Sequence, residues 1–382
     1  MKRKNVAIIG STGSIGINTL KVIDQFPEQF QVVALSAYNN CDLLIRQIKK
    51  YRPRYAAVSQ QQYEKIKSRV DAKRCTVCLA DQDLAMIATL PQVDVVILAM
   101  RGSAALAPFM AAVKAGKTVA PANKEALVVA GDLLIAEARR TGATIVPIDS
   151  EQSAIFQCLQ GQNRGELKRV LLTASGGTLL RVSSSKFDRL TVEEILSHPR
   201  WKMGAKITVD SATLMNKGFE VIEAQKLFGL KANEIRVVVH PQAIIHSMVE
   251  FIDGSVLAQL ASTDMRLPIQ YALTYPQRNS VRLPALDLCA IQSLTFEEPD
   301  LKRFPLLALA LEVAKKDGSL PAVLNAADEV AVEAFLNRKI KLTKIFDVVS
   351  KVVKKHRLVL KPNLQEVLEA DQWAREETRK LI

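Results

Sequence analysis

No apolar run in this 382-residue chain approaches the roughly 20 residues needed to span a bilayer, which excludes a helical membrane span. The opening MKRKNVAIIG has basic residues ahead of an apolar run, but that run ends within a few residues in a Gly/Ser/Thr loop. It therefore predicts a first strand, no signal peptide and a cytoplasmic protein. Cysteine is sparse, scattered and odd in number (Cys41, Cys75, Cys78, Cys158, Cys289), which does not suggest a disulfide framework. Cys75 and Cys78 form a CxxC, yet in a strand that spacing points the thiols to opposite faces, and no second pair completes a zinc site. Internal repeats and low-complexity tracts are also missing. The net charge of +13 comes without an aromatic-plus-basic motif of the kind that binds nucleic acid. Its lysines and arginines often lie beside acids, and the densest cluster, Lys341 to Lys361, has the pattern of a wet helix face. A small anionic substrate and cofactor, with a lysine-rich surface besides, account for the charge more economically than nucleic acid.

What is present is an alternation. From residue 5 to about 148, apolar runs (NVAIIG, FQVVALS, YAAVS, CTVCLA, VDVVILAM, KTVAPA, TIVPI) are separated by amphipathic segments. That pattern predicts an α/β fold opening with a doubly wound parallel sheet. Beyond Glu151 the grammar changes. LKRVLLTASGG reads as a strand ending in a glycine loop, and AIIHSMVEFIDGSVLAQLAS as a hairpin turning at Asp253-Gly254. Residues 285–304, rich in Pro and Asp, read as a linker, and 305–382 as helical throughout. The expected organisation is a nucleotide-binding domain over 1–148, a central α+β domain over 149–284 and a C-terminal helical domain.

GSTGSIG, Gly10 to Gly16, follows the first strand and opens a helix. Glycines there let a backbone approach a pyrophosphate, and the helix N-terminus supplies amides and positive potential. The spacing is G-x-x-G-x-x-G, and its place in a strand–helix unit makes it a Rossmann-like dinucleotide loop. An NAD site usually carries an acid at the end of the second strand. Here Ala37-Tyr38-Asn39-Asn40 follows FQVVALS, with no carboxylate before Asp42, which favours NADP. The nearest basic side chain in sequence is Arg46.

IVPIDSEQSAIF reads as a strand that leaves through Asp149-Ser150-Glu151. In an extended segment both carboxylates face one point, where a cation between them, or protonation of one, relieves their repulsion. The other reading is a solvated turn before a helix capped by Asp149 or Ser150. ITVDSATLMNKGFEVIEAQ reads as a strand ending at Asp210, a polar loop, then a helix that gathers Asn216, Lys217 and Glu220 on one face. An amide, an ammonium and a carboxylate together suit a phosphorylated ligand beside a metal, although Glu220 and Glu223 also fit an ordinary amphipathic helix. All-oxygen ligands select Mg²⁺ or Mn²⁺ over zinc. His198 lies in SHPRWKMG with Trp201 and Met203, which suits either a closing loop or a structural Trp anchor.

These motifs, with PANKEALV, TASGG and HPQAIIHSMVEFIDGSVLAQL, resemble the 1-deoxy-D-xylulose 5-phosphate reductoisomerases along nearly the whole chain and in that family's order. The resemblance implies a homodimer that uses NADPH and Mg²⁺, Mn²⁺ or Co²⁺. It would rearrange 1-deoxy-D-xylulose 5-phosphate and reduce the resulting aldehyde to 2-C-methyl-D-erythritol 4-phosphate, on the methylerythritol phosphate route to isoprenoids. It places the metal ligands at Asp149, Glu151 and Glu220. Substrate contacts fall on Lys124, Ser150, Glu151, Ser175, His198, Ser211, Asn216, Lys217 and Glu220, with Trp201 closing a mobile loop near 183–204. Cofactor contacts fall on Thr12, Gly13, Ser14, Ile15, Asn40, Asn123, Glu125 and Gly204. In this family's chemistry the cation acidifies a hydroxyl and polarises a ketone, while Lys124 adds charge where oxygen charge develops.

One departure is visible. Many members carry Gly-Lys-Asn after the second strand where this chain has Tyr38-Asn39-Asn40, so its preference for NADPH over NADH should be weaker than theirs. A simple NADP-dependent dehydrogenase of a small phosphorylated substrate is the alternative, and it leaves the carboxylates and the Asn-Lys-x-x-Glu cluster unused.

Overall fold

The computed structural model describes residues 3–197, 201, 203–280 and 282–382. The chain divides into two compact units. The first comprises Met1–Ala126, Leu134–Ser153 and a return, Asp264–Leu283; the second comprises Leu127–Leu133, Ala154–Thr263 and Pro284–Ile382.

The first unit is built on a seven-stranded sheet. Its strands are β1 (Lys4–Ile9), β2 (Phe30–Ser36), β3 (Tyr55–Val58), β4 (Thr76–Leu79), β5 (Val95–Leu98), β6 (Thr118–Pro121) and β7 (Thr144–Ile145). They lie in the order β4-β3-β2-β1-β5-β6-β7, and every pairing is parallel. All seven coincide with the apolar runs of the sequence. Strands covered on both faces need continuous apolar sequence, and Val95–Leu98 is buried throughout. The order reverses at β1, which has β2 on one side and β5 on the other. Ligands of such sheets bind at this crevice, beyond the strands' carboxyl ends. Cys75 and Cys78 are both buried here, and burial pushes the Cys75 thiol up to about 11. That makes it a poor nucleophile or metal ligand at neutral pH.

The return segment forms the helix Arg266–Thr274, which packs on the helix Ser14–Ile23 behind the glycine loop. Lys4 Nζ donates to the carbonyls of Leu273 (3.1 Å) and Tyr275 (3.2 Å), tying the segment to the edge of the molecule's first strand.

The second unit holds β8 (Leu167–Ala174), β9 (Ile235–Val239), β10 (Ile245–Phe251) and β11 (Val256–Leu260) in the order β11-β10-β8-β9. The expected hairpin is β10–β11, antiparallel, with Gly254 at φ +86° in its turn. Strand β11 is an edge, and Val256, Leu257 and nearby Ile252 are exposed. The helices Pro305–Lys316, Leu320–Leu336, Leu342–Lys355 and Leu364–Leu381 complete the unit. Leu342, Ile345, Val348, Val349, Val352 and Val353 form the buried stripe of one, while Lys351, Lys354 and Lys355 are exposed. The densest basic cluster is thus the solvated face of an amphipathic helix. Among the described residues no helix is long and apolar enough to cross a membrane.

Three local readings of the sequence differ from the structure. β7 proper ends at Ile145, although Val146 and Ile148 still donate backbone hydrogen bonds to Val119 and Pro121. The chain then turns at Asp149 into a helix, Ser150–Cys158, so Asp149 and Glu151 are not neighbours on an extended strand. Asp210 does not end a strand; it lies in the helix Ala205–Thr213, where its carboxylate meets Lys206 at 2.6 Å. The stretch SSSKFDRL (183–190), which reads from its polar composition as having little to bury, is anchored all the same: Phe187 and, beyond it, Ile195 are core residues.

Candidate active site

In the first unit a cavity of about 610 Å³ opens at the β1 switch point. It is lined by Gly10, Thr12 and Gly13 after β1, by Ser36 at the end of β2 and Ala37 to Asn40 beyond it, and by Ala99 to Arg101 after β5. Its size suits a ligand of cofactor dimensions. Gly10 sits at φ +96°, and a Cβ there would lie 2.6 Å from the Ala99 carbonyl oxygen. A Cβ at Gly16 would lie 2.4 Å from the Gly10 carbonyl oxygen, a backbone clash with nothing flexible to yield. Gly13 is different: its nearest neighbour would be 3.5 Å away, so its bareness is not a packing need and leaves room for a phosphate. Ser14 and Ile15 form the first turn of the following helix, which no side chain caps. Its amides are therefore available to an anion.

A buried polar network sets the loop. Ser11 Oγ donates to Gln47 Oε1 (2.7 Å), Gln47 Nε2 donates to the Ser11 carbonyl (2.9 Å), and Gly10 N donates to Ser36 Oγ (2.9 Å). Asn40 caps the helix Cys41–Tyr51 by accepting from Leu43 N (3.2 Å). Asn123 is buried, and both protons of its amide are used within the protein, on the carbonyls of Met100 (2.8 Å) and Gly102 (2.9 Å). Its Oδ1 accepts from Ala126 N (3.0 Å) at the start of the helix Glu125–Thr141. Asn123 thus acts on the cavity by clipping the β5 loop in place.

Beside Asn123, Lys124 is buried and its Nζ lies 2.6 Å from Asp149 Oδ2. Asp149 caps the helix Ser150–Cys158: its carbonyl accepts from Ser153 N (2.8 Å), and its Oδ1 accepts from Glu151 N (3.3 Å). The Ser150 hydroxyl donates to the Glu151 carboxylate. Two acids at one helix start are favoured by its positive end, which the capping reading anticipates.

In the second unit Asn216, Lys217 and Glu220 gather at a helix start. The helix Ala205–Thr213 ends at Leu214, which takes the left-handed conformation (φ +60°) and lets a second helix, Met215–Phe228, begin at once. Asn216 and Lys217 lie in its first turn. Asn216 Nδ2 donates to Glu220 Oε1 (2.5 Å) and the Lys217 ammonium donates to Glu220 Oε2. Lys217 is 3% exposed and Glu220 1%, so this is a buried, charge-compensated turn. The TASGG loop lies against it. Gly177, at φ +60°, would place a Cβ 2.4 Å from the Ser211 carbonyl oxygen, so only a glycine lets the Ser175 loop approach Ser211. Trp201 is half-buried beside His246, ring centroids 6.3 Å apart. Gly204 caps the helix Ala205–Thr213. His198 lies outside the described residues. His240 is structural: its Nδ1 meets the Thr295 carbonyl (2.9 Å) and its Nε2 accepts from Ile244 N (3.2 Å).

Comparison with known proteins matches residues 6–131 to the 1-deoxy-D-xylulose 5-phosphate reductoisomerase model, and residues 145–228 and 260–377 to that enzyme's two C-terminal domain models. A relative of that name from Pelotomaculum thermopropionicum is 49% identical over 381 residues, covering 99% of this chain and 98% of the relative. Another, from Heliobacterium modesticaldum, is 50% identical over 375 residues, covering 97% and 96%. The chain belongs to the 1-deoxy-D-xylulose 5-phosphate reductoisomerase family. Among solved reductoisomerases, one in complex with NADPH, fosmidomycin and magnesium superimposes with a TM-score of 0.95 at 40% identity, over 99% of this chain and 98% of that one. The Zymomonas mobilis reductoisomerase with NADPH gives 0.93 at 39% identity, over 100% and 99%.

Two features of this reductoisomerase family member escaped the sequence reading. The Ser11–Ser36–Gln47 network joins residues far apart in sequence, and nothing local marks it. Arg101 in the cavity wall was within reach, because a switch point puts the residues after β5 beside those after β1.

Proposed function

We propose that this chain isomerises 1-deoxy-D-xylulose 5-phosphate and reduces the resulting aldehyde to 2-C-methyl-D-erythritol 4-phosphate, in non-mevalonate isoprenoid precursor biosynthesis. The observation that carries the reading is the buried Asn216–Lys217–Glu220 turn, which hydride transfer alone would leave unused. NADPH fits the first unit's cavity, whose glycine cradle and uncapped helix start suit a pyrophosphate. A divalent cation, Mg²⁺ with Mn²⁺ or Co²⁺ as substitutes, fits Asp149, Glu151 and Glu220, which each offer one carboxylate oxygen. When bound, the cation supplies Lewis acidity toward neighbouring ketone and hydroxyl oxygens, and NADPH supplies the hydride.

The chain's own residues do the rest. Lys124, oriented by Asp149, brings an ammonium to the oxygen on which charge develops. Ser150 presents its hydroxyl beside Glu151 to the substrate. Ser175, Ser211, Asn216 and Lys217 donate to the phosphate, so that binding energy at a remote group orients the reacting end. His198 and Trp201, in a cover near 183–204, exclude water from the carbon chain, with Phe187 and Ile195 as its fixed anchors. We place the protein in the cytoplasm as a homodimer, with the exposed apolar edge of β11 meeting its copy in a second protomer.

The test is NADPH oxidation with 1-deoxy-D-xylulose 5-phosphate, with and without Mg²⁺ or Mn²⁺. Turnover should require both the sugar phosphate and the metal. Metal-independent oxidation, or none with this substrate, would overturn the reading.

A further inference from the structure

The 2′-phosphate of NADP is a dianion, and the segment where it should sit, Tyr38-Asn39-Asn40, offers it no cation. Arg46, the nearest basic residue in sequence, lies out along the helix Cys41–Tyr51 and does not line the cavity. Among the cavity's lining residues the charged side chains are Arg101 and Asp81. Asp81, in the first turn of the helix Ala80–Thr89, opposes a phosphate. Arg101 is exposed, and no ion pair among the described residues occupies its guanidinium.

The position of Arg101 is fixed on both sides. The Ala99 carbonyl presses against Gly10, and the Asn123 amide holds the carbonyls of Met100 and Gly102, the two residues flanking Arg101. Gly102 then turns away at φ +69°. A long side chain therefore leaves a clamped backbone at the strand next to β1 and shares one cavity with Tyr38, Asn39 and Asn40. The pyrophosphate has its own donors in the glycine loop and helix start. The 2′-phosphate is the anion left without a partner.

We propose that Arg101 is the specificity residue for the 2′-phosphate of NADPH in this chain, reaching from the β5 loop to do what a lysine after β2 does elsewhere in the family. The proposal rests on the NADPH reading above. Guanidinium suits the task, since its planar fork pairs with phosphate oxygens through two hydrogen bonds.

Equilibrium binding of NADPH and of NADH to the intact protein, without sugar phosphate, tests it. Arg101→Ala should weaken NADPH about 10- to 100-fold, the range of one charge-assisted contact, and leave NADH nearly unchanged. Arg101→Lys should retain part of the preference. Adding Asn39→Lys to Arg101→Ala should restore it, because the cation returns from the other strand. Competition by 2′,5′-ADP should lose strength with Arg101→Ala while competition by 5′-ADP does not. An equal loss for both dinucleotides would make Arg101 a pyrophosphate contact and overturn the assignment, as would unchanged NADPH affinity. A wild-type protein that binds neither nucleotide would overturn the cofactor reading and this assignment with it. Tight NADPH binding without turnover would overturn the reaction alone.

Discussion

Replacing Glu220 by glutamine separates the metal from the nucleotide. The carboxylate is 1% exposed and accepts from two donors, Asn216 Nδ2 and the Lys217 ammonium. An amide has one oxygen and one NH₂, so one of those donors loses this acceptor, and the buried ammonium loses the Glu220 charge beside it. A unit-charge pair about 3 Å apart is worth roughly 5–6 kcal/mol at an effective dielectric near 20, most of it offset by desolvation. With one hydrogen bond retained, the net cost should be about 2–4 kcal/mol, visible as a lower melting temperature. The effect on the metal is separate. Removing an outer partner of a metal site typically costs about 10–100-fold in affinity, and a direct anionic ligand should cost at least that. Turnover measured against Mn²⁺ concentration should fall steeply at sub-saturating metal and recover in part at high metal. NADPH affinity should hold, because its cavity is lined wholly by residues of the first unit. Wild-type activity at sub-saturating Mn²⁺ would remove Glu220 from the ligand set. A matching loss of NADPH affinity would mean that the variant is simply misfolded.

Trp201→Ala should lower kcat/KM for the sugar phosphate roughly 10- to 100-fold, the value of one buried aromatic surface, and spare NADPH and metal affinity; unchanged kcat/KM returns Trp201 to a structural anchor beside His246. Burial holds His240 and His356 below the ordinary imidazole value of 6.5. The neutral forms are favoured in the fold, so their contribution is complete above about pH 6.5 and declines as pH falls through the lowered folded-state values. Urea unfolding at fixed ionic strength from pH 8 downward (roughly to pH 5) should show that loss, and His356→Gln should flatten it; an acid limb of unchanged slope in the variant would refute the assignment. Leu257→Glu places a charge on the exposed β11 edge and should shift the protein from dimer to monomer by light scattering. A monomeric wild type would dispose of the homodimer.

The parallel sheet was legible because its central strands are buried on both faces, and Val6–Ile9 or Val95–Leu98 can be nothing but apolar. The residues around the site were legible as types, not as local structure. IVPI carries strand-like hydrogen bonds as far as Ile148, yet Asp149 ends it by capping a helix. Ile207-Thr208-Val209 alternates like a strand, but Val209 and Ala212 are buried three apart and Lys206 pairs with Asp210 four apart, so helical packing overrides β-branched preference. SSSKFDRL looked unanchored because one phenylalanine decides its fate, and composition cannot show that Phe187 reaches the core. Nor does any local signal announce that 264–283 rejoins the first unit, since a long-range return has no period of its own.

That return bears on how the protein is made. The nucleotide unit finishes only after 283 residues have left the ribosome, because Leu273, Tyr275 and Asn279 supply the partners of Lys4 and Gln29. Until then the helix Ser14–Ile23 lacks the helix Arg266–Thr274 that packs against it. A fragment cut at residue 148 would stay in that unfinished condition. A genetic split that keeps the cofactor-binding half whole must therefore supply residues 264–283 as well, either by circular permutation or as a second peptide.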